Sequence, residues 1–230
     1  MKDFGKIIAH RGVHDNITIP ENSIPAFLKA IRLDYAIELD VQLTSDNVLV
    51  VFHDDNLSRM TGVDAFLQKC SYDDIKSFSL LNTKYGIPTF QEVLSLVSDK
   101  VLLDIEIKPT KKIREVCSIL MKQLEGYHNY VVKSFDPRIV RYMKKHYPSV
   151  KVGYLIHDHY DTLFYSLILP SSWILFYCKP DFLAISKKLL NTPKYHSLYQ
   201  KYPILVWTIK KKDEMNSSSF HYICNNLPFH

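Results

Sequence analysis

The octapeptide AIELDVQL at residues 36–43 has the branched, apolar make-up of a buried strand, yet it carries Glu38 and Asp40 two residues apart. Alternate residues of a strand share a face, so both carboxylates point the same way. A buried ion without a partner costs several kcal/mol, so the pair requires counter-charge. Other strand-like runs carry polar residues of the same kind. KIIAH ends in His10, followed by Arg11 and Gly12. VLLDIEIK sets Asp104, Glu106 and Lys108 at spacing two, VLVVFHDD runs into His53 and Asp54, and ILVWTI carries Trp207.

Glu38, Asp40 and Glu106 offer hard oxygen donors, which suit a divalent cation of the Mg²⁺ or Ca²⁺ type. Zinc would call for His or Cys at short spacing, which this set lacks. Any single acid pair can be explained by ion pairing, for example Glu38 with Arg11 or Glu106 with Lys108. Three acids, two imidazoles and two fixed cations, all at strand ends, exceed what ion pairing requires. Imidazole titrates near neutrality, so one of His10 and His53 can accept a proton while the other donates one. Arg11 can grip phosphate oxygens bidentately and Lys108 adds point charge. Together these groups point to phosphoryl chemistry. The chain has no Gly-x-x-x-x-Gly-Lys loop, no Gly-x-Gly-x-x-Gly turn and only six glycines, which argues against a nucleotide cofactor. No Gly-x-Ser-x-Gly elbow supports a serine hydrolase.

Strand-like runs at 6–10, 36–41, 101–108, 130–135, 151–156, 181–185, 204–209 and 221–224 must position these groups. Helical segments alternate with them. SIPAFLKAIRL follows Asn22, TFQEVLSLV starts at Thr89, KKIREVCSILMKQL is amphipathic, and PRIVRYMKKHY follows Asp136. Eight such units predict a parallel sheet closed as a (β/α)₈ barrel, with the last two units the weakest in pattern. In that fold the carboxyl ends of the strands form one mouth, where residues distant in sequence converge. VLVVFHDD follows VQLT after only SDN, a link short enough for an antiparallel hairpin alone. Residues 42–53 are therefore expected to leave the mouth and bring His53 back to it. Residues 55–88 read as a small insertion over that mouth, and the whole chain, 1–230, as one domain.

With 47% apolar and 23% charged residues, the composition is that of an ordinary globular protein. The net charge of +5 is spread along the chain without a dense basic block, so no nucleic-acid partner is expected. Cys70, Cys117, Cys178 and Cys224 lie far apart, suit a reducing compartment and read as core fillers. The amino terminus turns polar by residue 10, too early for a secretion signal, and a cytoplasmic location follows as the expectation. TLFYSLILPSSWILFYC, residues 162–178, is uncharged but short for a membrane span and is cut by Pro170. It reads as a buried helix followed by a packed loop, with peripheral membrane or partner contact as the alternative. Oligomeric state is not legible.

The chain resembles the glycerophosphodiester phosphodiesterase family. The matching pieces, in the family's order, are HRG at 10–12, PENS at 20–23, ELDVQLTSD at 38–46, VFHD at 51–54, IPTFQEVL at 87–94, IEIK at 105–108 and VWT at 206–208. HRG and EIK alone are weak signals; the ordered set is specific. The resemblance implies the barrel with its hairpin excursion, and hydrolysis of a glycerophosphodiester to glycerol 3-phosphate and an alcohol. It implies Glu38, Asp40 and Glu106 as divalent-metal ligands, His10 and His53 as the acid–base pair, and Arg11 and Lys108 as phosphate contacts. Glu21 and Asn22 would steady Arg11 or the surroundings of the metal at the substrate mouth, and Trp207 would wall the substrate. By the same analogy the neighbouring glycerol hydroxyl attacks phosphorus, and water opens the resulting cyclic phosphate.

Two positions depart from the family pattern. Lys210 stands where Asn or Asp is usual, and CNNLP at 224–228 replaces a Thr-Asp-x-Pro pattern, which puts the last barrel strand in question. HDHY at 157–160 and KKK at 210–212 read as solvated surface, Asp54 and Asp55 as braces for His53 or turn caps, and Asp104 as needing a structural partner. Two further functions stay open at this stage: a phospholipase acting on intact lipid through 162–178, and a protein that binds phosphodiesters without cleaving them.

Overall fold

The structure is a computed structural model that describes residues 7–157, 172–215, 217, 219–225 and 227–228. Nine strands form one sheet: β1 (Ile7–Ala9), β2 (Ala36–Leu43), β3 (Leu49–Val51), β4 (Leu103–Ile107), β5 (Tyr130–Ser134), β6 (Val152–Ile156), β7 (Phe182–Ser186), β8 (Ile204–Ile209) and β9 (His221–Cys224). All but β3 run parallel, in the order β1-β2-β4-β5-β6-β7-β8-β9. β9 pairs back onto β1, with Ile8 opposite Ile223, so the sheet closes as the expected (β/α)₈ barrel. The departure at CNNLP therefore does not open it.

Helices cover the barrel: α1 (Ile24–Arg32), α2 (Ser58–Thr61), α3 (Tyr72–Ile75), α4 (Phe90–Val97), α5 (Ile113–Gln123), α6 (Pro137–His146), α7 (Ser172–Cys178) and α8 (Pro193–Tyr199). Local chemistry sets their starts. Thr89 and Glu92 form a reciprocal capping box on α4, and the Asp136 carboxylate accepts from the Arg138 backbone N–H on α6. Ser23 precedes α1, but its hydroxyl donates to the Pro20 carbonyl rather than capping the helix. Between β8 and β9 the connection contains a 3₁₀ turn, Lys212–Glu214, where the other units carry helices.

Strand alternation divides the barrel into two chemistries. On β2, Ile37, Leu39, Val41 and Leu43 face outward and pack with Phe27, Ala30, Phe90 and Val93 of α1 and α4. Burial of each such side chain stabilises the fold by about 1.5–3 kcal/mol. The inward set forms a floor of Ile8, Leu102, Val131, Leu155, Phe182, Leu205 and Ile223, with the acids above it. Gly153 makes room for that floor: a Cβ there would lie 2.2 Å from the Phe182 ring.

The hairpin is present as expected. β3 pairs antiparallel with the end of β2, Val41 opposite Val51 and Leu43 opposite Leu49. The insertion packs a cluster of its own, including Phe52, Leu57, Met60, Leu67, Ile75 and Leu80. Of the cysteines, all free, Cys117, Cys178 and Cys224 are buried and Cys70 is half-buried. The packed loop expected in 162–178 is not what the chain forms there. Residues 162–171 lie outside the described set, and the part after Pro170 is a helix rather than a loop. That helix, α7, buries Leu175 and Cys178 but exposes Trp173 and Phe176, because seven residues packed on one side cannot hide the other. No helix among the described residues is long and apolar enough to cross a membrane.

Candidate active site

The turn after β1 aims the first groups. Arg11 and Gly12 both adopt left-handed backbone (φ 55° and 79°), and a Cβ at position 12 would meet the Cβ of Ala26 at 2.8 Å. This turn directs the Arg11 backbone N–H to Glu38 Oε2 at 3.0 Å. The Arg11 guanidinium goes elsewhere, to Glu21 Oε1 at 2.7 Å and to within 3.4 Å of Asp40 Oδ2. The suggested Glu38–Arg11 side-chain pair is thus replaced by a main-chain contact. The Glu106–Lys108 pair is present, at 2.8 Å.

Glu38, Asp40 and Glu106 are all buried, and each brings one oxygen within 4.8 Å of the other two. Register explains the meeting, since Asp40 stands opposite Glu106 in the β2–β4 ladder. Burial opposes ionisation of Asp40, but Lys108, Arg11 and His53 outweigh it and hold the carboxyl below the usual range. The Asn22 amide, set by another left-handed residue (φ 53°), donates to Asp40 Oδ2 at 2.9 Å. Lys108 lies 3.6 Å from Asp40 Oδ1; burial disfavours its charge, but Glu106 and Asp40 raise its pKa regardless. The donor set and its spacing fit a hard divalent cation.

The two imidazoles have different supports. His10 Nδ1 lies 2.7 Å from Asn225 Oδ1, so it bears the proton and leaves Nε2 as the unprotonated nitrogen, 4.0 Å from Glu38 Oε2. Burial and then the Arg11 charge push the His10 pKa down to about 3, so the ring is neutral at physiological pH. His53 Nδ1 instead meets a carboxylate, Asp54 Oδ1, at 2.6 Å. Burial works against the Asp54 anion, yet Arg59 and His53 lower its pKa. Gln42 holds the segment in place by donating to the carbonyls of Phe52, His53 and Asp54 at 3.0–3.2 Å.

His10, Arg11, Glu38, His53, Glu106 and Trp207 line one cleft of about 100 Å³. Trp207 stands edge-on to Phe135 (5.6 Å between centroids), and its indole N–H has no acceptor among the described residues. Glu21 accepts from both Arg11, at 2.7 Å, and Arg59, at 2.6 Å, and so braces the Arg11 guanidinium. Lys210 is exposed, with its backbone N–H on Glu214, and does not line the cleft. His157 packs against Trp207 and Phe135, while 158–160 lie outside the described residues.

Several residues of the site went unmarked in the sequence reading. Lys133 is 1% exposed, 2.5 Å from Asp104 Oδ2 and 3.2 Å from Glu38 Oε1. It is the structural partner that Asp104 requires, and burial of its ammonium is outweighed by Asp104 and Glu38, which raise its pKa. A lysine inside the apolar run YVVKSF was a signal of the same kind as Glu38 inside AIELDVQL, but weaker, since it stood alone. Asn225 fell in the segment noted only as a departure, and Arg59 in an insertion without any distinguishing pattern.

A glycerophosphoryl diester phosphodiesterase family model matches residues 10–218. A glycerophosphodiester phosphodiesterase from Caldanaerobacter subterraneus is 31% identical over 222 residues, spanning 91% of this chain and 87% of that protein. Among solved structures, a glycerophosphodiester phosphodiesterase from Parabacteroides distasonis superposes with a TM-score of 0.79 at 25% identity, over 99% of this chain and 95% of that one. An Oleispira antarctica phosphodiesterase, solved in complex with the product sn-glycerol-3-phosphate, has a TM-score of 0.82 at 22% identity, covering 98% of this chain and 94% of that one. With the family's motifs converging on one barrel mouth, the chain belongs to the glycerophosphoryl diester phosphodiesterase family and is a phosphoric diester hydrolase.

Proposed function

We propose that this chain hydrolyses glycerophosphodiesters to glycerol 3-phosphate and an alcohol, in a metal-dependent reaction at the cleft between His10 and His53. The observation that carries the proposal is the meeting of three buried carboxylates, Glu38, Asp40 and Glu106, at a cleft that Glu38, Glu106 and both imidazoles line. Four carboxylates, Glu38, Asp40, Asp104 and Glu106, face three basic side chains, Arg11, Lys108 and Lys133. The surplus negative charge is one that a divalent cation and a phosphodiester monoanion together neutralise. Glu38, Asp40 and Glu106 would hold the cation, Mg²⁺ or Ca²⁺, which when bound would offset charge on the phosphoryl oxygens. The product named for the Oleispira relative, sn-glycerol-3-phosphate, supports the same product here.

His10 and His53 form the acid–base pair: one accepts the proton of the glycerol hydroxyl as that oxygen attacks phosphorus, and the other gives a proton to the departing alcohol. Water then opens the cyclic phosphate with the roles reversed. Arg11, braced by Glu21, and Lys108 hold phosphate oxygens, and Trp207 with Phe135 walls the glycerol. The four free cysteines accord with a cytoplasmic location.

³¹P NMR on a panel of glycerophosphodiesters tests this reading. Glycerol 3-phosphate should appear with Mg²⁺ or Ca²⁺ and vanish with EDTA, and His10→Ala or His53→Ala should lose about 10²–10⁴-fold in kcat without a change in melting temperature. Full turnover in EDTA refutes the metal assignment. Action on intact lipid is the second reading, favoured only by the exposed Trp173 and Phe176 of α7. It requires vesicle binding that Trp173→Ser with Phe176→Ser abolishes.

A further inference from the structure

The catalytic cleft, at about 100 Å³, is well below the 300–1,000 Å³ of sites that enclose a whole small ligand. A diester whose phosphate and glycerol occupy it must leave its second alcohol outside, on the rim. The aromatic wall of the cleft, Phe135 and Trp207 with Leu155 and Ile223, lies on the β5–β9 side. Between the insertion after β3, the loop from β4 to α5 and the start of α6, a groove of about 600 Å³ opens. Its walls continue from the catalytic segments: Asp55 follows His53 by two residues and Pro109 follows Lys108 by one.

The groove is basic. Lys69, Lys111, Lys112 and Arg138 line it against one acid, Asp55. Arg138 is neutralised by Asp136, with Nε donating to Oδ1 and Nη2 to Oδ2, and Lys112 donates to the Ser45 carbonyl and the Asn47 side chain. Lys69 and Lys111 meet no carboxylate among the described residues. Lys69 lies over the ring of Phe66, 5.2 Å from its centroid, and Phe66 itself is 52% exposed. An apolar face beside unneutralised ammonium groups suits a carbon skeleton that carries its own anion.

We infer that this groove is the subsite for the departing alcohol, and that it selects diesters whose alcohol is itself a polyol phosphate. The inference rests on the hydrolase reading for its catalytic consequence but not for its binding consequence, so the two can fail separately. The probes are glycerophosphoinositol 4-phosphate and glycerophosphocholine. Binding of each is measured by calorimetry in EDTA, and turnover by ³¹P NMR with Mg²⁺ and with Ca²⁺. The wild type should prefer the phosphorylated diester in both measurements. Lys69→Glu with Lys111→Glu should cut that preference about tenfold, with the difference shrinking in 0.5 M salt as surface charges are screened. Both substitutions are at the surface, and an unchanged melting temperature would show the fold intact. A preference equal in the variant and the wild type overturns the inference. Discrimination in EDTA with no turnover of either diester under any cation upholds the subsite and overturns the hydrolase reading instead.

Discussion

Lys133→Met should destabilise the protein severely, and by an amount that depends on pH. In the native barrel the ammonium, 1% exposed, lies 2.5 Å from Asp104 and 3.2 Å from Glu38, both buried. Methionine keeps much of the volume and removes the charge, leaving two carboxylates in the interior with their cation gone. Removing one partner of a buried pair costs about 3–5 kcal/mol. For a chain of this size that corresponds to a fall of about 10 °C in melting temperature. Asp104 has an escape, because burial raises the pKa of an unpaired carboxyl and lets it take up a proton. Its folded-state pKa then lies above the unfolded value. The folded form binds the extra proton at low pH, and that stabilisation is lost as pH rises through the raised value. The penalty should therefore be smaller at pH 5 than at pH 8, with a slope of up to about 1.4 kcal/mol per pH unit for one proton. Replacing both partners, Asp104→Leu with Lys133→Met, should recover the part of the loss that comes from Asp104, while Glu38 still lacks its cation. Thermal unfolding followed by circular dichroism at both pH values decides the matter. A single variant within 1 kcal/mol of wild type at pH 8, or a double variant no more stable than the single, refutes the reasoning.

Further outcomes follow from particular contacts. Asp54→Asn should lower kcat about 100-fold, because the amide cannot stabilise a proton on His53 as the carboxylate does, and steady-state kinetics read this directly. Asp54 has a depressed pKa, so its contribution to stability is present above the ordinary carboxylate range and lost as pH falls. The wild type should melt higher than Asp54→Asn at pH 7, with the gap closing below about pH 4. Gly153→Ala should cost about 1–3 kcal/mol or more by chemical denaturation, since its Cβ would overlap the Phe182 ring. Asn225→Leu should leave the fold stable but reduce kcat about tenfold or more, as His10 loses the acceptor that fixes its tautomer.

The residues of the site were legible in the sequence wherever their chemistry conflicted with their surroundings. Glu38 and Asp40 in an apolar strand, Glu106 and Lys108 at spacing two, and His53 after a three-residue link could be read because strand period and hairpin length are local rules. The same rule applied to Lys133 in YVVKSF, where a lone charge without a charged neighbour at spacing two gave a weaker signal. The barrel followed from alternation, but its closure was decided by the β9–β1 ladder, in which Ile223 meets Ile8 across more than two hundred residues. The local pairs Glu106–Lys108 and His53–Asp54 could be anticipated from spacing, but partnership across the chain was decided by tertiary structure. Arg11 gives its backbone to Glu38 and its side chain to Glu21 and Asp40, and Arg59 reaches Glu21 from the insertion. One imidazole rests on an amide and the other on an acid. Sequence fixes which groups are charged and which face they share; only the folded chain fixes how far apart they lie, and electrostatic interaction depends on that distance.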